Sequence, residues 1–325
     1  MDCRFRNFLI LLACVASVAL AAPPGATPST TAAASLRTAD GKPDLEGYWS
    51  NGSVTPLERP KELGNKAFFT PEEAAQYAKE QLSKPEPPGP DTDTHYNLAQ
   101  YGLDKSQMKM AANHRTSLIT DPPDGQIPPM TPEAVKRNAD RAAARKGHEF
   151  DGPENRGLAE QCILWGNEGP PMMPVGYNSN LQIVQGPGYV AILQEMIHDV
   201  RMIPTENSSH LPSTIRQWFG DSRGHWEGDT LVVDTTNFTD RTPFHGSSEK
   251  LHVVERFRRV DADTILYRFT VDDPSTWARP WSAEIPMTKI KGPIFEYACH
   301  EGNYGIVNSL SGARAEERKQ QQVAK

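Results

Sequence analysis

Ionisable side chains cluster most densely in one short stretch that also carries aliphatic residues. Glu195, His198, Asp199 and Arg201 lie within seven residues of one another. Burying a charge without a partner is costly, so such groups either pair across strands or line a cavity. A histidine held near a carboxylate can act as a general base. The stretch predicts a site with His198 as base, Glu195 as its orienting group and Arg201 as a ligand contact, or else structural cross-strand pairs with a core histidine.

A second polar group follows Cys299 near the end of the chain. His300 and Glu301 could form another base with its orienting carboxylate, and Asn303 could contact a ligand. This arrangement needs a rigid position at the mouth of a cavity. The alternative is a C-terminal turn stabilised by Asn303 and Gly302.

Further candidate ligand contacts come from a polar loop and from aromatic residues. In the predicted loop 221–225, Arg223 could bind a carboxylate or phosphate, although an ordinary solvated turn explains the loop equally well. Most aromatic residues are predicted to lie in the core. Some of them, including Trp226 and Tyr267, could instead form the walls of an apolar pocket.

Metal and cofactor chemistry has no support in the sequence. The zinc-protease pattern His-Glu-x-x-His and the redox pattern Cys-x-x-Cys are absent. The spacing of the histidines fits no usual set of metal ligands: 198, 225, 245, 252 and 300. We therefore predict neither a metal nor a cofactor.

The charge of the chain limits its partners. Lys and Arg total 34 against 41 Asp and Glu, which gives a formal net charge of −7. A mildly acidic chain with scattered basic residues has no electrostatic footprint for nucleic acid or for an anionic membrane surface. A small molecule is the partner that remains.

The N-terminal residues resemble a secretion signal. Arg4 and Arg6 precede an apolar run over 8–22, which is too short for a comfortable membrane span, and Ala19-Leu20-Ala21 offers a signal peptidase site. We predict cleavage of residues 1–21 and a secreted or periplasmic protein. No other segment is long and apolar enough to span a membrane.

Two further features concern the processed N terminus. Leu11-Leu12-Ala13-Cys14 resembles a lipobox, which would give a lipid anchor at Cys14, but the apolar run continues past this cysteine and favours simple cleavage. Residues 22–38 are rich in Ala, Pro, Ser and Thr. Such a composition cannot bury a core, so we expect a disordered leader.

Removal of the signal would leave two cysteines in an oxidising compartment. Cys162 and Cys299 are then most simply joined in a disulfide, which would close a long loop and contribute roughly 4 kcal/mol or more by chain entropy. The alternative is a pair of buried free thiols.

The C-terminal half must position these side chains, and its pattern is that of strands. Apolar and polar residues alternate with period two, with turn residues between the runs, over 181–185, 189–196, 197–203, 229–237, 251–258, 264–271, 281–287 and 294–300. Such repetition is typical of an antiparallel sheet with one buried face. We predict an all-β fold whose core, 176–313, is a lipocalin-like barrel or a strongly bent sheet.

Residues 39–175 are predicted to form a proline-rich, partly helical arm over this core. Of 28 prolines, 16 lie between Pro56 and Pro174, which forbids a continuous sheet there. Helix-start signals predict helices over 70–82 and 131–146, and 115–120 can form one strand. Short helical turns are expected at 212–219, and the charged run 314–325 is expected to fray.

Several motifs together resemble a large family of secreted bacterial proteins of unknown function. They are the segments at 40–49, 115–119, 121–125, 220–229 and 296–304. The resemblance covers most of the mature chain and implies an exported bacterial protein without implying a reaction. In addition, Gly47-Tyr48-Trp49 has the Gly-x-Trp spacing found where the first strand of lipocalin-like barrels closes the bottom of the barrel.

Two functional hypotheses follow. The favoured one is a binding protein that holds a small, partly apolar molecule in a barrel cavity, because aromatic residues are abundant in the predicted strands. The alternative is a cofactor-free exported hydrolase or lyase that uses His198 or His300 as general base. That alternative requires at least one of these histidines to face a cavity.

Overall fold

The computed structural model describes residues 36–84, 108–111, 113–166, 168–175, 178–206, 208–241 and 244–323. The predicted signal segment, Cys14 and leader residues 22–35 lie outside this part of the chain.

Ten strands form one antiparallel sheet, which confirms the predicted all-β class. They are β1 (Gly47–Ser50), β2 (Ile119–Asp121), β3 (Asn180–Gly186), β4 (Tyr189–Gln194), β5 (Val200–Pro204), β6 (Asp221–Glu227), β7 (Thr230–Thr236), β8 (His252–Arg259), β9 (Thr264–Asp272) and β10 (Trp281–Lys289). Their order is β5-β4-β3-β1-β10-β9-β8-β7-β6, with β2 also paired to β10. Seven of these strands correspond to alternating runs of the sequence.

The sheet curls into a nearly closed barrel, so that its two end strands, β5 and β6, approach each other. A β-carbon at Gly224 of β6 would lie only 3.0 Å from Cγ2 of Ile203 and 3.2 Å from Cγ2 of Thr205. Glycine at this position therefore lets the side chains of β5 pack directly against the backbone of β6.

The proline-rich arm contributes two short strands to the barrel. Strand β1 pairs with the end of β10 at Thr288 and Lys289, and β2 pairs with its beginning at Ser282 and Ala283. The two short strands thus share one edge of β10. Prolines are numerous around both of them, which is consistent with their length of three or four residues.

Alternating residues of the strands form a continuous apolar interior. Four aromatic rings of β8, β9 and β10 follow one another at centroid distances of 4.9, 5.7 and 5.8 Å: Phe257, Tyr267, Phe269 and Trp281. All four are fully buried. The middle of the barrel is therefore occupied by side chains.

We call the end of the barrel at which strands β8 and β10 finish the lower end. Trp49 is fully buried there, and its indole N–H donates to the carbonyl of Leu45 at 2.9 Å. The guanidinium of Arg259 lies 5.4 Å from the Trp49 ring and the Lys289 ammonium lies 5.8 Å from it. Trp49 is thus held at the lower end by a hydrogen bond and by two cations near its ring.

The opposite, upper end is where β6, β8 and β10 begin, and residues 162–166 and 168–174 cover it. We call this segment the plug. Met172 is fully buried, and its N–H donates to the Tyr267 hydroxyl at 2.9 Å. Cys162 and Cys299 lie at disulfide distance, with the sulfur atoms 2.07 Å apart, which confirms the predicted pairing.

Two helices of the arm begin where the capping signals predict. Helix α1 (Pro71–Ser83) follows Thr70, whose hydroxyl accepts from Glu73 N–H while the Glu73 carboxylate accepts from Thr70 N–H. Helix α2 (Pro132–Arg145) follows Thr131, whose hydroxyl accepts a hydrogen bond from the N–H of Ala134 at 3.1 Å.

The end of the chain is a third helix, so the predicted fraying of 314–325 is wrong for the described residues. Helix α3 (Tyr304–Val323) carries ion pairs between Arg314 and Glu317 and between Lys319 and Glu316, each at 2.6 Å. Residues with good helix propensity fill its second half. Among the described residues, no helix has the length and apolar character that a membrane span requires.

Three local predictions are wrong. Residues 294–300 are not a strand, because β1, β2 and β9 already occupy both edges of β10. Residues 212–219 form two isolated hydrogen-bonded turns and no helix, because the backbone of Gln217 between them bonds to Asn237 and Thr239. The predicted loop 221–225 belongs to strand β6.

Candidate ligand-binding site

A buried ion pair crosses the upper interior of the barrel. Arg201 of β5 lies 2.9 Å from Glu255 of β8, measured between Nη1 and Oε2, and its Nη2 donates to Oε1 at 3.1 Å. Glu255 is fully buried because it faces inward between Val253 and Phe257. Arg201 faces inward because it pairs with Ile192 of β4. The pair therefore connects two strands that are not neighbours in the sheet.

Tyr267 joins this pair to the plug. Its hydroxyl donates to Glu255 Oε1 at 2.8 Å and accepts from the N–H of Met172. Burial, with a further contribution from the carboxylate of Glu255, raises the pKa of Tyr267 well above its ordinary value. Tyr267 is thus a phenol at physiological pH, and it holds the plug against the barrel wall.

Glu168 of the plug is a second buried carboxyl group. It is 3% exposed, and its Oε2 accepts from the N–H of Trp165 at 2.8 Å. Burial, reinforced by the nearby Asp199 carboxylate, raises the pKa of Glu168 to about 8. Its Oε1 is buried and has no hydrogen-bond partner among the described residues. Glu168 is therefore protonated near neutral pH and has a hydrogen to donate.

A small pocket of about 10 Å³ lies beside these groups at the upper end. We call it the polar pocket; it is lined by Glu168, Ile192, Gln194, Asp199, Arg201 and Phe219. Both the protonated carboxyl group and the arginine of the buried ion pair thus contribute to one pocket.

A larger cavity of about 300 Å³ lies between the plug and the loops above β6, β7 and β8. We call it the upper cavity; its principal walls are Trp165, Trp218, Phe219, Phe238, Arg241 and Phe244. Phe219 lines both this cavity and the polar pocket. The volume and the aromatic lining of the upper cavity are in the range that is typical of sites for small, partly apolar molecules.

Arg241 is the charged residue among the described residues that line the upper cavity. Its guanidinium lies 5.2 Å from the centre of the Trp218 ring. Within the described part of the chain, no oxygen accepts a hydrogen bond from this guanidinium. Arg241 can therefore donate to a polar group of a molecule in the cavity.

The structure separates the residues of the first predicted site. Residues 195–199 form the turn between β4 and β5, so the predicted strands 189–196 and 197–203 do not continue through this group of ionisable residues. Glu195 is buried, but its two oxygens accept from Asn180 at 2.6 Å and from Phe295 N–H at 3.1 Å. It anchors the segment after β10. His198 is exposed in the turn, with a φ of 63°.

The residues of the second predicted site line neither the upper cavity nor the polar pocket. His300 and Glu301 are exposed. Asn303 donates to the carbonyl of Glu160 at 2.8 Å and so fixes the turn before α3 to the segment preceding the plug. His198 and His300, the two general bases of the hydrolase or lyase hypothesis, are thus exposed and line neither the upper cavity nor the polar pocket.

The remaining predicted ligand contacts also lie apart. Arg223 is on β6, where it pairs with Asp221 at 2.6 Å and donates to the Ser209 carbonyl. Trp226 is half-buried and lines a polar groove at the lower end. Arg201 and Tyr267 are the two predicted contacts that the structure brings together, through Glu255.

The sequence Gly220-Asp221-Ser222-Arg223-Gly224 matches the Gly-x-Ser-x-Gly pattern of serine hydrolases. That pattern needs a sharp turn from a strand to a helix, which exposes the serine. Here Ser222 lies within β6, is buried, and shares a hydrogen bond of 2.9 Å with Thr235. His210 contacts Asp221, which faces the opposite side of the strand. The motif therefore does not form a nucleophile.

A chain of acidic and histidine side chains runs over the outside of β6, β7 and β8. His210 lies 3.0 Å from Asp221 and 2.9 Å from Asp234, whose other oxygen lies 2.7 Å from His252. The bond to Asp234 raises the pKa of His252. Burial opposes ionisation of Asp234, yet hydrogen bonds from both histidines lower its pKa. Among the described residues, no group of three or more His, Cys, Asp or Glu could hold a metal ion.

Three charged or titratable residues of the site lie outside the sequence-based candidates: Glu168, Arg241 and Glu255. A signal existed for two of them. Glu168 is the carboxyl group in an otherwise apolar run before Gly169-Pro170-Pro171, and Glu255 falls at an inward position of the period-two pattern of β8. Arg241 follows β7 in a loop, where spacing gives no indication of a cavity.

Comparisons with protein-family models, with curated proteins and with solved structures gave no match for this chain. The site is therefore interpreted from its own geometry.

Proposed function

We propose that the protein binds a small, partly apolar molecule in the upper cavity. The observation that carries this proposal is the cavity of about 300 Å³ with aromatic walls and the guanidinium of Arg241, which has no hydrogen-bond acceptor among the described residues. Binding sites for small molecules combine mainly apolar walls with a few polar groups that fix orientation. The barrel interior below is filled by side chains, so the ligand lies at the end of the barrel.

The architecture supports this assignment in a second way. The plug is held by the disulfide at Cys162 and by the bond between Met172 and Tyr267. Trp165 belongs to this plug, and Phe238 is buried in the hydrophobic core, so both walls are attached to well-packed parts of the structure. A largely preformed pocket binds without a large ordering cost.

The test is titration with 1-anilinonaphthalene-8-sulfonate, whose fluorescence rises in apolar surroundings. We expect saturable binding with one site per chain. Ala159 lines the cavity, so Ala159→Phe should fill it and weaken binding at least tenfold. Ala143→Phe, on the exposed face of α2, is the matched control and should bind like the wild type.

Two results would contradict the proposed function. One is the absence of saturable binding to the folded wild-type protein. The other is equal binding by the Ala159→Phe and Ala143→Phe variants, provided that thermal unfolding shows both to be folded.

We propose further that the protein acts outside the cytoplasm, on the basis of the predicted signal 1–21. Mass spectrometry of the protein purified from its native host should then give a mature chain that begins at Ala22. A chain that begins at an acylated Cys14 would establish the lipid-anchored alternative instead.

A further inference from the structure

Two residues that line the polar pocket each have a buried polar atom without a hydrogen-bond partner among the described residues. The atoms are Oε1 of Glu168 and Nη1 of Arg201. Nη1 lies 2.9 Å from Oε2 of Glu255, but this contact is an ion pair without the alignment of a hydrogen bond. Both atoms can therefore donate to a third group, and buried donors normally have an acceptor.

The polar pocket has room for one small group. Its volume of about 10 Å³ corresponds to a single oxygen atom or one water molecule. Phe219 lies between this pocket and the upper cavity, and its side chain is half-buried in a segment without helix or strand. A change of the Phe219 rotamer would join the two spaces.

We propose that the polar pocket receives the carbonyl oxygen of an uncharged ligand whose apolar body occupies the upper cavity. The inference rests on the proposed function and adds the chemical class of the ligand. The oxygen accepts one hydrogen bond from Glu168 and one from Arg201.

The charges around the pocket favour a neutral acceptor over an ion. The positive charge of Arg201 is already balanced by Glu255, and the Asp199 carboxylate also borders the pocket. An anion would therefore lie beside a carboxylate without a free counter-ion, and a cation would face the guanidinium. A carbonyl oxygen has no net charge, so neither the Asp199 carboxylate nor the Arg201 guanidinium repels it as it would an ion.

The protonation of Glu168 fits this role. The charged and titratable groups around it are Asp199 and Arg201, and the neighbouring Gln194 is neutral. Burial and Asp199 keep the pKa of Glu168 at about 8, so the carboxyl carries a proton at neutral pH. Because Oε2 already accepts from Trp165 N–H, the proton is available on Oε1.

The experiment compares two probes of the same shape, 2-acetylnaphthalene and 2-isopropenylnaphthalene, which has no oxygen. Each is used to displace bound 1-anilinonaphthalene-8-sulfonate from the full-length mature protein. At pH 7 we expect the ketone to bind roughly tenfold more tightly than the hydrocarbon, because one buried, charge-assisted hydrogen bond contributes about that factor. The preference should decrease as the pH rises through about 8, where Glu168 ionises.

Variants of Glu168 separate a direct role from a structural one. Glu168→Met removes one of the two donors, so it should reduce the preference for the ketone and remove its dependence on pH, while Arg201 remains as a donor. Glu168→Gln retains an N–H donor, so it should keep the preference at pH 7 and hold it up to pH 9. Glu301→Met, at an exposed carboxylate away from the pocket, is the control and should behave like the wild type.

The outcomes distinguish this inference from the proposed function. If both probes displace the dye equally well from the wild type, or if Glu168→Met keeps the full preference and its dependence on pH, the inference is overturned and the pocket holds only water. If neither probe competes and the dye itself does not bind, both the inference and the proposed function fail.

Discussion

At the scale of single residues, two buried carboxyl groups differ in how many of their oxygens have a partner. Glu255 is paired with Arg201 and accepts from Tyr267, so its burial is compensated by neighbours on two other strands. Glu168 has a backbone donor for one oxygen and none among the described residues for the other. An unpaired carboxyl group in a binding region is more readily explained by a ligand than by stability.

The pKa of Glu168 predicts how stability depends on pH. Its folded-state value of about 8 lies above the ordinary value of 4.5, so the folded state holds the proton more tightly than the unfolded state. The contribution of Glu168 to the free energy of unfolding is complete below pH 4.5 and decreases as the pH rises towards 8. At about 1.36 kcal/mol per pH unit, the full interval corresponds to a loss on the order of 5 kcal/mol.

Glu168→Gln removes this titration, and urea unfolding of both proteins between pH 4 and 9 tests it. The variant should become more stable than the wild type as the pH rises, and the difference should level off above pH 8. Other groups such as His252, whose pKa is also raised, cancel in the difference. A difference that does not change with pH would contradict the assignment.

The buried ion pair predicts a non-additive double mutant. Arg201→Met alone leaves Glu255 charged in the barrel interior and should cost about 3 to 5 kcal/mol of unfolding free energy. Arg201→Met combined with Glu255→Leu removes both charges, so we expect it to recover most of this loss. Unfolding in guanidinium chloride is measured for four proteins: the wild type, Arg201→Met, Glu255→Leu and the double variant. If the two substitutions simply add, the pair does not act as a unit.

At the scale of elements, the period-two pattern predicts strands wherever an edge of the sheet is free to pair. It fails at 294–300, where alternation is present but both edges of β10 are already occupied. Phe295 is 72% exposed there, and its N–H bonds to the side chain of Glu195. Pairing geometry of this kind depends on the whole sheet and is not visible in a local window.

Strand β6 shows the opposite failure. Its residues Asp221 to Glu227 are mostly polar, so the sequence indicates a loop. In the barrel, the inward positions of β6 hold Ser222 and Gly224, because the side chains of β5 pack closely against it. Small inward residues are required by barrel closure, and they remove the apolar signal from the sequence.

The disulfide predicts how firmly the plug is held. Cys162 and Cys299 are separated by 137 residues, for which chain entropy gives a stabilisation of about 5 kcal/mol at most. Replacing both cysteines by serine should lower the free energy of unfolding by roughly 2 to 5 kcal/mol and increase hydrogen exchange at Met172. A loss below roughly 1 kcal/mol, with Met172 still protected, would show that the plug is held by packing alone.

At the scale of the whole molecule, the sequence predicts the architecture well and the site poorly. Seven alternating runs, two capped helices and the cysteine pairing were sufficient to indicate a barrel with a proline-rich arm. The site is assembled from the plug, the turn before β5 and the loops around β6 and β8. The contact between Arg201 and Glu255, 54 residues apart, arises from barrel closure. The local composition around His198 and His300 indicates clusters of ionisable residues, but it carries no information about whether these side chains are exposed.

All the functional predictions depend on the binding of a small molecule at the upper end of the barrel. A crystal structure of the protein with bound 1-anilinonaphthalene-8-sulfonate would locate that molecule. We expect electron density for the dye between Trp165, Trp218 and Phe244, within hydrogen-bonding distance of Arg241. Density for the dye in the groove at the lower end, or on α3, with none in the upper cavity, would show that the proposed site is wrong.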